Sequence, residues 1–313
     1  MQSRRNIRIK VMQTLYAWEQ QSYPGLNAAE RALAKSIQAT YTVVLYNLYL
    51  FEKVAQYVLV EDKIRKGKHL PNKEDLNFST KFNENTVAET LSSSGLFNKE
   101  IKDRNLLNID NTELVRSLFK GLYEKDEYKI YSITEGKNVT NDIEMYKLLY
   151  FDVMLASPLY EEHMEENFAN LDDDIVLIHF ITKEFLENFE KKPFSKILEE
   201  LTDTKEQELF GLELFEKANE TKAMLSNVIK PHLENWDIER VAQLDMILMR
   251  LSLCELLYFE TIPVKVSINE YIDIAKEYST PKSKDFINGL LDKLMRQFKK
   301  EGKIIKAGRG LVE

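Results

Sequence analysis

The stretch of sequence that decides the fold is NWDIERVAQLDMILMRLSLCELLYFETIPVKVSINEYIDIAKEYSTPKSKDFINGLLDKL, residues 235–294. Its first part, Ile238 to Phe259, is apolar on nearly every side, as expected for the central helix of a bundle. Pro263 separates that helix from SINE (267–270), which fits the capping box of a second helix. A third helix starts at Ser283 and carries apolar residues at helical spacing. The stretch therefore predicts three consecutive helices.

A glycine, Gly289, lies inside the third predicted helix. Glycine in a helix interior costs about 1 kcal/mol relative to alanine, so the position needs a reason. Close approach of another helix would explain it, and so would close approach of a ligand backbone. The sequence favours packing against another helix.

Outward from this stretch, most of the chain keeps a helical pattern. Residues 5–20 and about 28–64 carry apolar residues at helical spacing, and the longer segment contains no Gly or Pro. Residues 66–99 are instead rich in Asn, Ser, Thr and Lys, which predicts a loop-like excursion. Further helices are predicted over about 111–125, 141–156, 158–169, 173–190 and 205–232.

The composition also favours an all-α fold. Apolar residues make up 44% of the 313-residue chain, which is enough to build a core. Ten glycines and seven prolines fall well below the usual combined share of about 12%, which argues against sandwiches, barrels and Gly-rich nucleotide-binding folds. The single cysteine, Cys254, excludes a disulfide framework, and its leucine neighbours favour an inert core position.

Charge is distributed unevenly along the chain. The net charge is −8, yet residues 1–10 contribute +4 and residues 281–310 contribute +6. An acidic body with two basic ends favours an anionic partner at one face, although basic ends also occur as soluble tails.

Sequence motifs for catalysis or metal binding are missing. The glycines form neither a P-loop nor a dinucleotide fingerprint, and the four histidines are scattered. We therefore expect no enzyme activity, no cofactor and no metal site. The N-terminus lacks a secretory signal, and the longest apolar stretch, Tyr41–Phe51, is too short to span a bilayer. A cytoplasmic protein without a membrane segment is expected.

Four pieces of the sequence resemble the NusB family of transcription antitermination factors. They are RRNIRIKVMQTLYAWE (4–19), IPVKVSINE (262–270), IDIAKEYS (272–279) and DFINGLLDK (285–293). The resemblance covers about 110 residues and fades between about 21 and 205. It implies an all-α fold of two packed helical lobes with a helical insertion. Residues 1–234 would form the N-terminal lobe, with an elaboration at about 66–200, and residues 235–313 the C-terminal lobe with a basic tail.

The same resemblance implies a function without catalysis or a cofactor. Members of the NusB family pair with NusE, the small-subunit ribosomal protein. The pair binds the single-stranded boxA element of nascent RNA within the RNA polymerase antitermination complex, and this supports ribosomal RNA transcription.

Basic and aromatic residues near both ends fit an RNA surface. In a helix over residues 3–18, Arg4, Arg5 and Arg8 fall within about 100° of arc, and Tyr16 returns to nearly the same side. Single-stranded RNA needs cations for its phosphates and aromatic rings for its bases. With the family pattern, the expected RNA-binding residues are Arg4, Arg5, Arg8, Tyr16, Lys282, Ser283, Lys284 and Phe286. For Tyr16 and Phe286, a buried core position remains an alternative to stacking.

For the NusE surface, the family suggests Glu239 and Asp245, which could also be a helix-end carboxylate and a solvated side chain. Two other functions remain open. The chain could be a protein-interaction scaffold, or an RNA-binding module related to ribosomal RNA cytosine methyltransferases. Those enzymes carry a catalytic α/β domain after the module, and the thirteen residues beyond position 300 give it no room.

Overall fold

The protein is almost entirely helical. The computed structural model describes residues 4–169, 171–233 and 243–307, without the side chains of Asp172, Pro281 and Lys282. Within these ranges there is no strand, and the predicted all-α fold is confirmed. The helices are α1 (Arg4–Glu19), α2 (Leu26–Lys66), α3 (Lys73–Leu76), α4 (Thr86–Ser93), α5 (Gly95–Asp103), α6 (Thr112–Tyr123), α7 (Asp126–Ile133), α8 (Val139–Lys147), α9 (Pro158–Asn167), α10 (Leu171–Asn188), α11 (Phe194–Thr202), α12 (Lys205–Glu220), α13 (Lys222–Ile229), α14 (Gln243–Tyr258), α15 (Val264–Tyr278) and α16 (Pro281–Lys300). A π-helical segment, Leu148–Met154, continues α8.

The chain divides into two compact units. The insert unit comprises residues 38–203, and the terminal unit comprises residues 2–37 together with 204–313. Helix α2 contributes to both, because residues 26–37 belong to the terminal unit and residues 38–66 to the insert unit. The lobe boundary expected at 234/235 lies outside the described residues and stays a prediction.

The terminal unit is built around α14. Buried apolar side chains follow one another along this helix from Ile247 to Leu256, since α1, α12, α13, α15 and α16 all pack against it. This confirms the expected central helix over its described part. The expected core position of Cys254 is also confirmed: the residue is fully buried, and burial raises the pKa of its thiol to about 12.

The insert unit has its own core, rich in aromatic residues, that includes the second part of α2 and helices α4 to α11. Hydroxyl and imidazole groups pair inside it. The Tyr46 hydroxyl lies 2.6 Å from Nε2 of His163, and the Tyr150 hydroxyl lies 2.9 Å from Nδ1 of His179. The Tyr160 hydroxyl donates to Oδ1 of Asn47 at 2.7 Å.

The expected loop at 66–99 is wrong, because this segment contains α3, α4 and most of α5. Its polar residues serve as N-caps rather than as loop formers. The side chains of Asn72, Asn85 and Ser94 accept hydrogen bonds from the first-turn amides of α3, α4 and α5. Short side chains with an oxygen satisfy these amides, so a segment rich in them can consist of short capped helices.

The expected capping box at Ser267 is also wrong. Helix α15 begins at Val264, directly after Pro263, so Ser267 lies one turn inside the helix and is fully buried. The start of α16 lies close to the expected position: the side chain of Thr280 accepts a hydrogen bond from the amide of Ser283.

Helix α2 is the one described helix that is long and apolar enough to cross a membrane. However, 72% of its most apolar window is buried inside the protein, as is usual for the core helix of a soluble protein.

Candidate nucleic-acid interface

The first turn of α1 presents two half-exposed arginines. The Arg4 side chain is 51% exposed, and its guanidinium lies 5.3 Å from the centre of the Phe210 ring. An ionic contact joins its Nη2 to Oε1 of Glu206 at 3.7 Å, and Glu206 is itself strongly exposed. Such a pair contributes little to stability and is easily exchanged for another anion.

Arg5 is held more firmly than Arg4. Its Nε donates to Oε2 of Glu270 at 3.1 Å, and its Nη2 donates to Oδ2 of Asp273 at 2.8 Å. The hydrogen bond with Glu270 is the main reason that the pKa of Arg5 lies above its ordinary value. These two carboxylates of α15 orient the guanidinium of Arg5. Because 41% of the Arg5 side chain is exposed, solvent still reaches it.

Arg8 does not lie on the surface, which contradicts its expected contact with RNA. Its side chain is 2% exposed, and Nε and Nη2 donate to the two carboxylate oxygens of Glu255 at 2.8 and 2.7 Å. Burial by itself lowers the pKa of Arg8, but the hydrogen bonds and charge of Glu255 outweigh it, and the pKa is raised. A phosphate cannot reach this guanidinium in the folded unit.

Glu255 joins four donors in the core between α1, α14 and α15. Besides Arg8, the hydroxyl of Ser267 donates to Oε1 at 2.6 Å and the hydroxyl of Tyr271 donates to Oε2 at 3.1 Å. Glu255 is fully buried, so these bonds replace the water that an ionised carboxylate would otherwise require. The cluster fixes α1 on α15 and thereby positions Arg5.

A groove of about 460 Å³ opens at the start of α1. It lies between the arginines of α1 and the segment that leads into α15. The residues lining it are Arg4, Arg5, Arg8, Ile262, Pro263, Val266 and Glu270. The groove combines the guanidinium groups of Arg4 and Arg5, the latter paired with Glu270, with apolar side chains, a combination that suits an anionic ligand with flat apolar surface.

The C-terminal segment returns to the same part of the terminal unit. Nζ of Lys306 donates to the backbone oxygens of Glu255 and Phe259 at 3.1 and 2.8 Å, and the amide of Ala307 donates to the oxygen of Glu260 at 3.1 Å. Burial lowers the pKa of Lys306. The described part of the segment is therefore bonded to the end of α14 and the loop after it, and Ile262 and Pro263 of that loop line the groove with the arginines of α1.

The remaining expected RNA-binding residues differ in exposure. Tyr16 is 42% exposed, and Lys284 is partly exposed, with Nζ 4.0 Å from Oδ1 of Asp285. Phe286 is half-buried and packs against the core, so it retains an accessible edge. Ser283 is buried, which contradicts a direct contact with RNA. The side chain of Lys282 lies outside the described residues.

The two carboxylates expected to meet NusE have different outcomes. Asp245 is 5% exposed and accepts hydrogen bonds from the hydroxyls of Ser279 and Ser283. It thus ties α14 to the start of α16, and its burial contradicts a surface role. Glu239 lies outside the described residues.

Sequence reasoning missed Glu255, Glu270 and Asp273 as partners of the arginines. The sequence does contain a signal for the buried pair. Arg8 stands between Ile7 and Ile9 in an apolar helix, and Glu255 stands between Cys254 and Leu256 in another. A buried charge in an apolar helix segment needs an opposite charge nearby, and Arg8 and Glu255 are each other's partner.

Comparisons with known proteins point to one family. The family model described as NusB family matches residues 175–296. The transcription antitermination protein NusB of Listeria monocytogenes is 44% identical over 86 residues, which cover 28% of this chain and 67% of the relative. The chain belongs to the NusB family. The resemblance read from the sequence is thereby confirmed, and NusB proteins are transcription antitermination factors.

Two further NusB relatives match over shorter shares of their length. The protein of Salinibacter ruber is 42% identical over 103 residues, covering 33% of this chain and 64% of the relative. The protein of Chloroherpeton thalassium is 49% identical over 85 residues, covering 27% of this chain and 40% of the relative. The chain thus spans less than two thirds of the length of these two relatives.

Among solved structures, NusB of T. maritima matches 36% of this chain and 80% of its own, with 32% identity and a TM-score of 0.29. The three sequence relatives of this chain are named as antitermination proteins and not as enzymes.

Proposed function

We propose that this NusB-family protein binds boxA-type single-stranded RNA together with NusE in the RNA polymerase antitermination complex and supports transcription of ribosomal RNA. The observation that carries the proposal is the groove at the start of α1, where Arg4 and Arg5 are half exposed beside apolar residues of the α14–α15 segment. Family membership supports the same role.

Each arginine acts in its own way. Arg4 exchanges its long contact with Glu206 for a phosphate oxygen, because that pair is exposed and weak. Arg5 keeps Glu270 and Asp273 as supports and offers the phosphate its Nη1, which forms none of these bonds. Arg8 acts indirectly, as a positioning residue that holds α1 through Glu255.

The other contacts come from α1 and α16. Lys282 and Lys284 neutralise further phosphates, while Tyr16 and Phe286 stack on bases. Direct contact with NusE is assigned to Glu239, since Asp245 is engaged by Ser279 and Ser283.

The salt dependence of RNA binding tests the proposal. If Arg4, Arg5, Lys282 and Lys284 each neutralise one phosphate, log K for boxA RNA with NusE present falls with log salt at a slope of roughly −3. The double variant R4Q/R5Q reduces the steepness of that slope by about 1.4.

Arg31→Gln is the matched control, because Arg31 is an exposed arginine on α2 of the same unit. It should leave both affinity and slope unchanged. Binding that is undetectable with NusE present, or independent of salt, overturns the proposal.

One observation favours a second function, as a protein-interaction scaffold. The insert unit has 20 basic and 31 acidic residues, a net charge of −11, whereas the rest of the chain has 23 and 20. So acidic a unit repels RNA and suits a basic protein. In that case R4Q/R5Q leaves transcription readthrough in an antitermination assay unchanged, while deletion of the insert abolishes it.

A further inference from the structure

The glycine in the middle of α16 has no packing partner, which contradicts the expected helix contact at Gly289. Gly289 is exposed, and a Cβ built there would meet no atom of the described structure within 4 Å. Gly211 shows what a packing glycine looks like in the same unit. A Cβ there would lie 2.9 Å from Cδ1 of Ile37 and 3.1 Å from Cγ2 of Ile7. The weakening of α16 at Gly289 therefore has no reason within the described fold.

Its neighbours on the surface of α16 are basic and aromatic. At 100° per residue, Phe286, Gly289, Lys293, Arg296 and Lys300 fall within about 80° of arc and form one stripe along the helix. Phe286 is half-buried, whereas Lys293, Arg296 and Lys300 are exposed. The stripe therefore combines one accessible ring, a gap without a side chain and three cations.

The helix carries two acids near this stripe. Asp285 lies at its border, and Asp292 pairs with Arg296 through a 2.8 Å contact. Lys293 has no ion pair with any residue of the described ranges. Asp285 and Asp292 lie within about one turn of Gly289, and over the whole length of the stripe its three cations outnumber these two acids.

We propose that the ribose–phosphate backbone of single-stranded RNA crosses α16 at Gly289, with Phe286 stacking on a base and Lys293, Arg296 and Lys300 continuing the track of phosphate contacts. This inference rests on the proposed RNA-binding function and extends it along α16. The missing Cβ lets the RNA backbone approach the helix backbone closely, as glycine does at other ligand contacts. A protein helix crossing here would need apolar neighbours, and the stripe supplies cations instead.

Gly289→Ala tests the inference, because stability and binding should move in opposite directions. The substitution removes the cost of glycine in a helix without causing a clash, so the midpoint temperature of thermal unfolding should rise by about 2 °C. Affinity for boxA RNA with NusE should fall roughly tenfold, the size of one lost backbone or stacking contact. Asn288→Ala is the control, since Asn288 is exposed on the other flank of α16 and should leave RNA affinity unchanged.

A second variant measures the cationic track. Lys293→Gln should make the salt slope of RNA binding shallower by about 0.7, the share of one phosphate contact with a single strand. Binding of NusE alone to G289A should match that of the wild type.

Three outcomes overturn the inference. One is a G289A variant that binds RNA as tightly as the wild type, and another is a G289A variant that loses NusE rather than RNA. The third is a fall in thermal stability, which would mean that Gly289 is packed. If the wild-type protein itself fails to bind boxA RNA with NusE, the proposed function fails first and removes the basis for this inference.

Discussion

The two units treat buried polar groups in different ways. In the terminal unit, the carboxylate of Glu255 meets the guanidinium of Arg8, and both are almost fully buried. In the insert unit, the polar partners in the core are largely neutral: Tyr46 pairs with the buried His163, and Tyr150 pairs with the half-buried His179. An ion pair of this kind keeps its charges over a wide range of pH, whereas an imidazole near neutrality does not. The terminal unit should therefore be sensitive to loss of a charge, and the insert unit to acid.

The largest expected effect is in the terminal unit. Glu255→Ala removes both hydrogen-bonded oxygens from the buried Arg8 and leaves Glu270, 3.7 Å from Nη1, as its carboxylate partner, so the free energy of unfolding should fall by about 3–5 kcal/mol. Hydrogen exchange at α1, α14 and α15 measures this loss locally. Glu277→Ala, at an exposed position of α15, is the control and should change little. A loss below about 1 kcal/mol for E255A would show that the pair is replaceable by water.

A smaller loss is expected when the buried carboxylate has neutral partners. In the insert unit, Asp142 accepts from the hydroxyl of Tyr131 at 2.7 Å and from the amide of Thr86 at 2.9 Å. Asp142→Ala leaves both donors unpaired and should cost about 2–3 kcal/mol, read from hydrogen exchange at α4, α7 and α8. Asp152→Ala, at an exposed site of the same unit, should have almost no effect. If D142A lowers the free energy of unfolding as much as E255A does, the contrast between charged and neutral partners disappears.

The helix bounds show how much of the fold a single sequence predicts. A helix over about 28–64 was expected, and α2 runs from Leu26 to Lys66, because a long apolar period without Gly or Pro has few alternatives. The caps Asn72, Asn85 and Ser94 fall in the segment for which the sequence predicts a loop, because the same side chains stabilise turns and helix starts.

The candidate interface was predicted only in part. Helical spacing grouped Arg4, Arg5 and Arg8 correctly on α1, but it could not tell which of them faces the core. That depends on Glu255, which lies 247 residues away in the sequence. Pairings over such distances follow from tertiary packing and leave no local pattern.

Acid should affect the insert unit before the terminal unit. Burial lowers the pKa of His163 and of His179, so the folded unit prefers both rings neutral. The unfolded chain therefore binds protons more readily, and stability should be lost as the pH falls below the ordinary histidine value of about 6.5 and on towards the lower folded pKa. Glu166 and Asp110 face His163 and partly oppose this effect, and the Tyr46 hydroxyl contacts its ring.

Unfolding followed by hydrogen exchange between pH 7.5 and 5 measures this loss. His163→Gln should flatten the pH dependence within the insert unit, and His232→Gln, in the terminal unit, should not. Equal acid sensitivity in α14 and α15 would contradict the contrast between the units.

The C-terminal segment that contains Lys306 and Ala307 has a practical consequence for anyone handling the protein. Lys306 and Ala307 are bonded to the end of α14 and the loop after it, and Ile262 and Pro263 of that loop line the groove of Arg4 and Arg5, so a fluorophore attached at Ala307→Cys would sit on the loop that forms one wall of the groove. Under the proposed function, a label at this position would compete with RNA and distort measured affinities. The turn at Gly136 offers a labelling position in the insert unit at its exposed neighbour Glu135, because Gly136 itself has a positive φ that a side chain would strain.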